Sequence, residues 1–516
     1  MTFTPYPSQV DDLNKLRANN YTGCLAIEMG GGKTVDALMA TKDSGAAQTL
    51  IIAPQSTHKK AWREDAELVM GEEVRIIGNS LKAEKQAMSD LQWGYPGLYI
   101  VTPQLFTRED STSWTPDMLI VDESHMLNNP KAAGQRKLSG YQVKDKPISR
   151  RSGMRLALSG THARNNFERM WATCRFLWPE LNGRGEVAYD NYYGWLHERM
   201  TSEDIVKGFK WFKVSWDRYE KRQPGQYAKI VEGVPHFGEP DTAKKWLMEA
   251  EPGRLFEEMP CVIQHFRRRE CCAHHPEGFL KHDEPNVSTR TVEISTQQKR
   301  IIRDLENQGL AWLEEHPLSV QLPMTLQQRI RQATLAVPTL IANGEIDEFG
   351  NPVTELFFKH DAVSPFADEV DDLLEKWEDE TVCIFLSSQR FASALTERLK
   401  RKGERVFEYS GAISKREREE NLARFGTDFR IMVATLESVG TGTDGIQKVC
   451  NNEIWIERSL DETVNTQGEG RTDRLGSRAQ TQRVYIEDDT GYAAGRFSKQ
   501  MTKRLALAES TKVKVR

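Results

Sequence analysis

At 516 residues, 38% of them hydrophobic and 28% charged, the chain is too long for one ordinary core and is expected to form roughly two to four soluble domains. A net charge of −5 excludes nucleic-acid binding through bulk positive charge, so any such contact needs a local basic groove. No apolar run of about 18 residues and no basic-then-apolar leader is present, so a cytoplasmic protein without a membrane partner is expected. The seven cysteines are scattered apart from Cys271-Cys272, which argues against a disulfide framework. Cys271, Cys272, His274 and His275 are poorly spaced for one tetrahedral zinc site and read as ordinary structure.

In chain order, the first informative stretch is Gly30-Gly31-Gly32-Lys33-Thr34. Three glycines let the backbone turn its N–H groups toward an anion, and Lys33 and Thr34 stand where a helix should begin. The strict phosphate-loop pattern asks for another glycine where this chain has Ile27, so the loop needs support from elsewhere. Leu50–Ala53, Leu98–Thr102, Met118–Val121 and Leu156–Leu158 read as buried strands alternating with helices, the rhythm of a parallel sheet. Residues 183–257 are rich in aromatics and charge, including Tyr189, Tyr192, Tyr193, Trp195, Trp211, Phe212, Trp216 and Tyr219. They read as an insertion or helical subdomain. Residues 258–365 are expected to hold the end of lobe 1, a helical stretch over 293–336 and a hairpin over 343–356 turning at Gly350-Asn351. The strand rhythm returns in Val382–Leu386, Val406–Tyr409, Arg430–Ala434, Glu453–Ile456 and Arg483–Ile486, and 491–516 form a basic tail. The expected fold is α/β, with parallel-sheet lobes over 1–182 and 366–490 and an aromatic-rich, mainly helical insertion between them.

Chemistry follows from three stretches. Lys33 would neutralise the terminal phosphates of ATP and the Thr34 hydroxyl would bind Mg2+. Met118-Leu119-Ile120-Val121 would bury a strand and deliver Asp122 and Glu123 at its end, where open α/β sheets place ligands. Asp122 would hold Mg2+ through water, and Glu123 would orient and deprotonate the attacking water. Arg471 and Arg474, three apart and so on one helical face, would answer the charge spread over the γ-phosphate. They lie more than 400 residues from Lys33, which implies a site between two lobes.

These motifs, collinear through nearly the whole chain, resemble superfamily-two helicases and, within them, the Swi/Snf-like DNA translocases. Phe3 to Gln9 resembles the Q motif, implying that Gln9 reads adenine. Glu28-Met29-Gly30-Gly31-Gly32-Lys33-Thr34 resembles the family form of motif I, which also lacks the first glycine. Leu50 to Ser56 with Trp62 resembles motif Ia, Asp122-Glu123-Ser124-His125 motif II, and Leu158 to Trp171 motif III, with His162 in place of the usual proline. Phe266-Arg267-Arg268-Arg269 resembles the arginine pair near the end of the first lobe, which would put the Cys271 to His275 cluster on a helix. Ile384 to Gln389, Tyr409 to Gly411, Thr435 to Asp444 and Gln467 to Arg474 resemble motifs IV, IVa, V and VI.

The resemblance implies nucleotide contacts from Gln9, Gly30, Gly31, Gly32, Gly442, Asp444 and Gln467, and DNA contacts from Pro54, Thr102, Ser159, Thr161 and Thr435. It implies an ATP- and Mg2+-dependent translocase on duplex or branched DNA, serving replication, recombination or repair. The lean build, without accessory modules, resembles a bacterial or bacteriophage motor. Two alternatives stay open: a helicase that tracks and unwinds from a single strand, and a nucleotide-dependent clamp that docks a protein at the aromatic insertion.

Overall fold

The computed structural model describes residues 3–491 apart from 128, 141–146, 161–166, 180–191, 222–226, 232, 268–272, 277, 281, 309, 314–315, 320–322, 347–351, 440–442, 444 and 460. The strands in chain order begin with β1 (Gly23–Ile27), β2 (Gln48–Ile52), β3 (Val74–Ile76), β4 (Gly97–Val101), β5 (Met118–Asp122) and β6 (Met154–Leu158). β7 (Met200–Lys213), β8 (Ala228–Val231), β9 (Val234–Glu249) and β10 (Val262–His265) follow. Lobe 1 is a seven-stranded parallel sheet ordered β10-β1-β6-β5-β2-β4-β3. Its strands read as apolar runs because helices cover both faces. Leu50, Ile51, Ile52, Leu119, Ile120, Leu156 and Leu158 are fully buried in one core.

The second half begins with β11 (Asn286–Val292), β12 (Leu310–Leu313), β13 (His316–Ser319), β14 (Thr339–Ile346) and β15 (Pro352–Phe357). It continues with β16 (Val382–Leu386), β17 (Val406–Tyr409), β18 (Ile431–Thr435), β19 (Asn452–Trp455) and β20 (Gln482–Asp488). Lobe 2 is a six-stranded parallel sheet ordered β11-β20-β19-β16-β18-β17. Alternation along β16 sends Val382, Ile384 and Leu386 to one core and Cys383 and Phe385 to the other, so both faces are packed. The chain therefore forms two RecA-like α/β lobes.

Several expectations change. The lobe 2 sheet starts at Asn286, not near 366, because β11 pairs along its whole length with β20. The helices Thr296–Gln308 and Pro323–Leu335 are separated by the short β12–β13 hairpin, so 293–336 is not continuously helical. β14 and β15 form the expected hairpin, with its Gly350-Asn351 turn outside the described residues.

The larger correction is the insertion. The helix Tyr192–Arg199 packs Tyr192 and Trp195 into the lobe 1 core, but the rest is a three-stranded antiparallel ribbon ordered β7-β9-β8. Both faces of the ribbon meet solvent along most of its length, so no apolar-polar alternation marks it as strand in the sequence. Pro240 is tolerated because β8 covers β9 only over 234–237, leaving the strand an open edge beyond.

Candidate active site between the lobes

The phosphate loop closes β1 onto the helix Lys33–Ser44. Gly30 at φ 82° and Gly32 at φ 90° occupy the left-handed region that favours glycine, and Gly32 caps the helix. A side chain at 31 would collide with Ile27, and one at 32 would come within 2.9 Å of Gln9 Nε2. Gln9 thus lies against the loop, its Oε1 accepting the Tyr6 N–H at 3.0 Å. Ile27, the apparent flaw in the motif, packs against the loop and helps exclude any side chain there.

Asp122 ends β5 and Glu123 follows it in a left-handed conformation at φ 48°, a strained backbone for a glutamate. The Asp122 carboxylate accepts from Trp62 Nε1 at 3.0 Å and from the Glu123 N–H at 2.9 Å. Burial, and then the Glu123 charge, push the Asp122 carboxyl above its ordinary range. Burial would also raise Glu123, but Lys33 Nζ at 3.8 Å, His125 Nδ1 at 3.2 Å and the Arg471 charge outweigh it and hold this carboxylate below its usual range. Lys33 and His125 beside it therefore keep Glu123 ionised, the state a proton acceptor needs.

Lobe 2 completes the cleft. A side chain at Gly30 would lie 3.5 Å from Arg474 Nε, so this guanidinium sits over the phosphate loop. Arg471 is buried, donates to the Thr443 carbonyl and adds its charge to the field at Glu123. Gln467 and Thr466 line the cleft opposite Glu28, Met29, Glu123, Gly160 and Arg267. Arg471 and Arg474 do not lie on a helix as their spacing suggested. The helix Glu462–Glu469 stops at Gly470, and a turn carries both arginines.

Sequence reasoning marked Arg267 without its partners and missed the other supports of this cleft. Arg267 donates its backbone N–H to Glu28 Oε2 at 2.7 Å and places Nη1 3.6 Å from Asp473 Oδ2, joining the lobes beside the site. In lobe 2 the fully buried Glu453 accepts from Arg483, Thr472 and Trp455, and Glu469 accepts from Arg458 and Tyr485 at 3.2 Å each. Glu453 and Arg483 are register partners on β19 and β20. Opposite charges near the starts of two consecutive buried strands were the available signal.

The expected DNA contacts fare differently. Ser159 is fully buried and hydrogen-bonds His125 Nδ1 at 3.1 Å, with Glu123 Oε2 at 3.5 Å, so it links the end of strand β6 to the Glu123 carboxylate. Thr435 is buried and donates to Ser438 at 2.8 Å, and Pro54 is buried as well. The side chains of all three positions are thus internal in this structure. The Thr102 hydroxyl accepts from the Leu105 N–H and caps a helix. Thr161, Gly442 and Asp444 lie outside the described residues.

His274 and His275 sit in a turn and not on a helix. They hydrogen-bond Asp11 and Ser8, while Cys271 and Cys272 lie outside the described residues. Among the described residues no cluster of three His, Cys, Asp or Glu side chains could hold a metal by itself. The donor set of Asp122 with the Thr34 hydroxyl suits Mg2+, which keeps most of its waters and takes phosphate oxygens as ligands.

The fold and this cleft define a two-lobe RecA-like nucleotide site. Comparison with known families narrows the class: residues 9–204 match the SNF2-related domain and residues 366–476 the helicase conserved C-terminal domain. The chain carries the paired domains of a Snf2-like superfamily-two helicase. It is 28% identical over 213 residues to Helicase SWR1 of Candida albicans, covering 38% of this chain and 12% of that protein. It is 25% identical over 214 residues to the ISWI chromatin-remodeling complex ATPase ISW1 of Saccharomyces cerevisiae, covering 39% and 18%. The chain thus spans less than a fifth of the length of either relative. Both are eukaryotic, and neither match bears on the bacterial or bacteriophage origin expected from the lean build. The Sulfolobus solfataricus SWI2/SNF2 ATPase core in complex with dsDNA aligns over 99% of this chain and 97% of that one, at 15% identity and a TM-score of 0.36. No helix among the described residues is long and apolar enough to cross a membrane.

Proposed function

We propose that the protein is a DNA-stimulated ATPase that moves along duplex or branched DNA by opening and closing the cleft between its lobes. The observation that carries this is the placement of Arg474 over the phosphate loop with Arg471 in the field of Glu123, since neither lobe holds a complete hydrolytic site alone. In the proposed cycle Lys33 binds the terminal phosphates, Glu123 accepts a proton from the attacking water, and the two arginines meet the charge developing on the γ-phosphate. Thr34 and Asp122 would hold Mg2+, which neutralises phosphate charge when bound. Gln9 and Gln467 would position the nucleotide, and Arg267 would register closure by joining Glu28 to Asp473.

The SNF2-related and helicase C-terminal matches favour DNA as the track. Grip without base readout would come from phosphate contacts at exposed strand-end loops, not from the buried hydroxyls of Ser159 and Thr435. The testing experiment is steady-state ATP hydrolysis without DNA and with single-stranded, blunt duplex or four-way-junction DNA at modest salt. Stimulation by duplex or junction, with displacement of a triplex-forming strand, is the expected result. Stimulation by single strands alone would make the protein an unwinding helicase, and indifference to DNA would return the partner-controlled clamp.

A further inference from the structure

In the ribbon, β7, β9 and β8 lie side by side, so residues in register form rows across each face. Lys213, His236 and Lys229 make one row, and Trp211 and Gly238 belong to the next row on the same face. Tyr227 extends that second row, its carbonyl accepting the Gly238 N–H at 2.9 Å. A side chain at 238 would come within 2.9 Å of the Trp211 ring, so glycine lets the indole close over the central strand. Lys213, Lys229 and Tyr227 are exposed, and Trp211 and His236 are half-buried.

The opposite face is already covered. The helix Trp216–Glu220 folds back over it, stacking Tyr219 on Phe237 at 6.3 Å and setting Arg218 over the same ring, which is buried. The ribbon joins lobe 1 at its other end, where Glu249 accepts the N–H groups of Gly253 and Leu255. Thirteen strand steps put the tip about 40 Å from that base.

We infer that the face of the ribbon tip that carries Lys213, Trp211 and Lys229 binds an unpaired stretch of nucleic acid, with Lys213 and Lys229 on backbone phosphates and Trp211 and Tyr227 stacking with bases. Among the described residues neither lysine is ion-paired to a carboxylate, whereas Lys210 on the same strand is held by Asp241 at 3.0 Å. A chain of net negative charge needs such a local basic surface to meet phosphate. Aromatic faces point to unpaired rather than duplex partners, because base planes are open to stacking only outside a duplex. Lys229 Nζ now lies 4.1 Å from the centre of the Trp211 ring. An exposed cation–π contact is weaker than a base–aromatic stack, so a base displaces the ammonium, which is then free to reach a phosphate.

The test is fluorescence anisotropy of the full chain with labelled oligothymidylate of about 20 nucleotides and with a blunt duplex. Lys213→Glu/Lys229→Glu should weaken single-strand binding about tenfold and lower its salt slope, and Lys213→Arg/Lys229→Arg should restore both. Trp211→Ala/Tyr227→Ala should weaken it about fivefold or more, with duplex affinity and DNA-independent ATP turnover unchanged. Unaltered single-strand affinity in both double variants overturns the inference, as does an equal loss for the duplex. A loss of self-association or of protein binding with nucleic-acid affinity intact would assign the face to a protein and also overturn it. Because the readout is binding at the tip, failure here leaves duplex-stimulated hydrolysis untouched, and failure of the translocase reading leaves this result interpretable.

Discussion

Lobe 1 brings Lys33, Glu123 and His125 together from two short stretches, Gly30 to Thr34 and Asp122 to His125. Lobe 2 holds Arg471 and Arg474 above a buried network that runs from Glu453 and Glu469 to Arg483. In lobe 1 the geometry is set locally, by left-handed glycines, a helix N-terminus and a strained residue at a strand end. In lobe 2 a glycine-terminated turn has no such local stiffness, and ion pairs between neighbouring strands fix it instead. A short motif can therefore specify a reactive group, while its rigidity is supplied by charged residues on the strands packed beside it.

Four measurements break or sharpen that contrast. The largest effect is expected from Arg474→Ala, which should lower steady-state ATP turnover about a thousandfold or more while anisotropy shows DNA binding retained. Ordinary turnover in that variant would mean the lobes do not share one site. Glu123→Gln should follow, with turnover down by about two to four powers of ten but ATP binding kept. Lys33→Ala should lose binding as well, and equal ATP affinity in the two variants would contradict their separate roles.

Arg483→Met tests the long-range half. It leaves the Glu453 carboxylate buried without its guanidinium, and chemical denaturation should show a loss of about 3–5 kcal/mol. Pairing it with Glu453→Leu should recover most of that, because the desolvated charge is then gone. A loss below about 1 kcal/mol in the single variant would show that the arginine turn is held by something else.

The smallest effect concerns Asp65, whose carboxyl is pushed up to about 6 by burial and then by Glu64. The folded value exceeds the unfolded value of 3.8, so ionisation costs the folded state stability as pH rises through that interval, and the cost is full above it. Asp65→Asn should stabilise the chain by about 1 kcal/mol near pH 8, allowing for solvent screening of a partly exposed group, and by little near pH 4. Thermal melts at the two pH values check this, and a gain confined to low pH would reverse the assignment.

The central strands of both lobes were legible because sheets buried on both faces leave continuous apolar runs, as in Leu50–Ile52 and Val382–Leu386, whereas β1, β3 and β10 were not read as strands. Asp122-Glu123 after an apolar strand and Arg471 with Arg474 stood out by their spacing, and the structure brings Lys33, Glu123 and both arginines to one cleft. β11 was not legible, since six of its seven residues are exposed and its sequence reads as polar linker. The ribbon was not, because Lys210-Trp211-Phe212-Lys213 carries no periodicity that separates two wet faces. Ser159 was placed on DNA from its motif alone, and only burial shows that its hydroxyl turns inward to His125 and Glu123.

The pairing of β1 with β10 and of β11 with β20 also bears on how the chain is made and how it can be divided. During synthesis β1 emerges early, yet one of its edges stays uncovered until residue 265 is complete. A fragment starting at 366, where the helicase C-terminal match begins, would lack β11 and leave the seven-residue edge of β20 open to foreign strands. Residues 266–285, between the last strand of one sheet and the first of the next, are where the protein can be cut into two parts that each keep a finished edge.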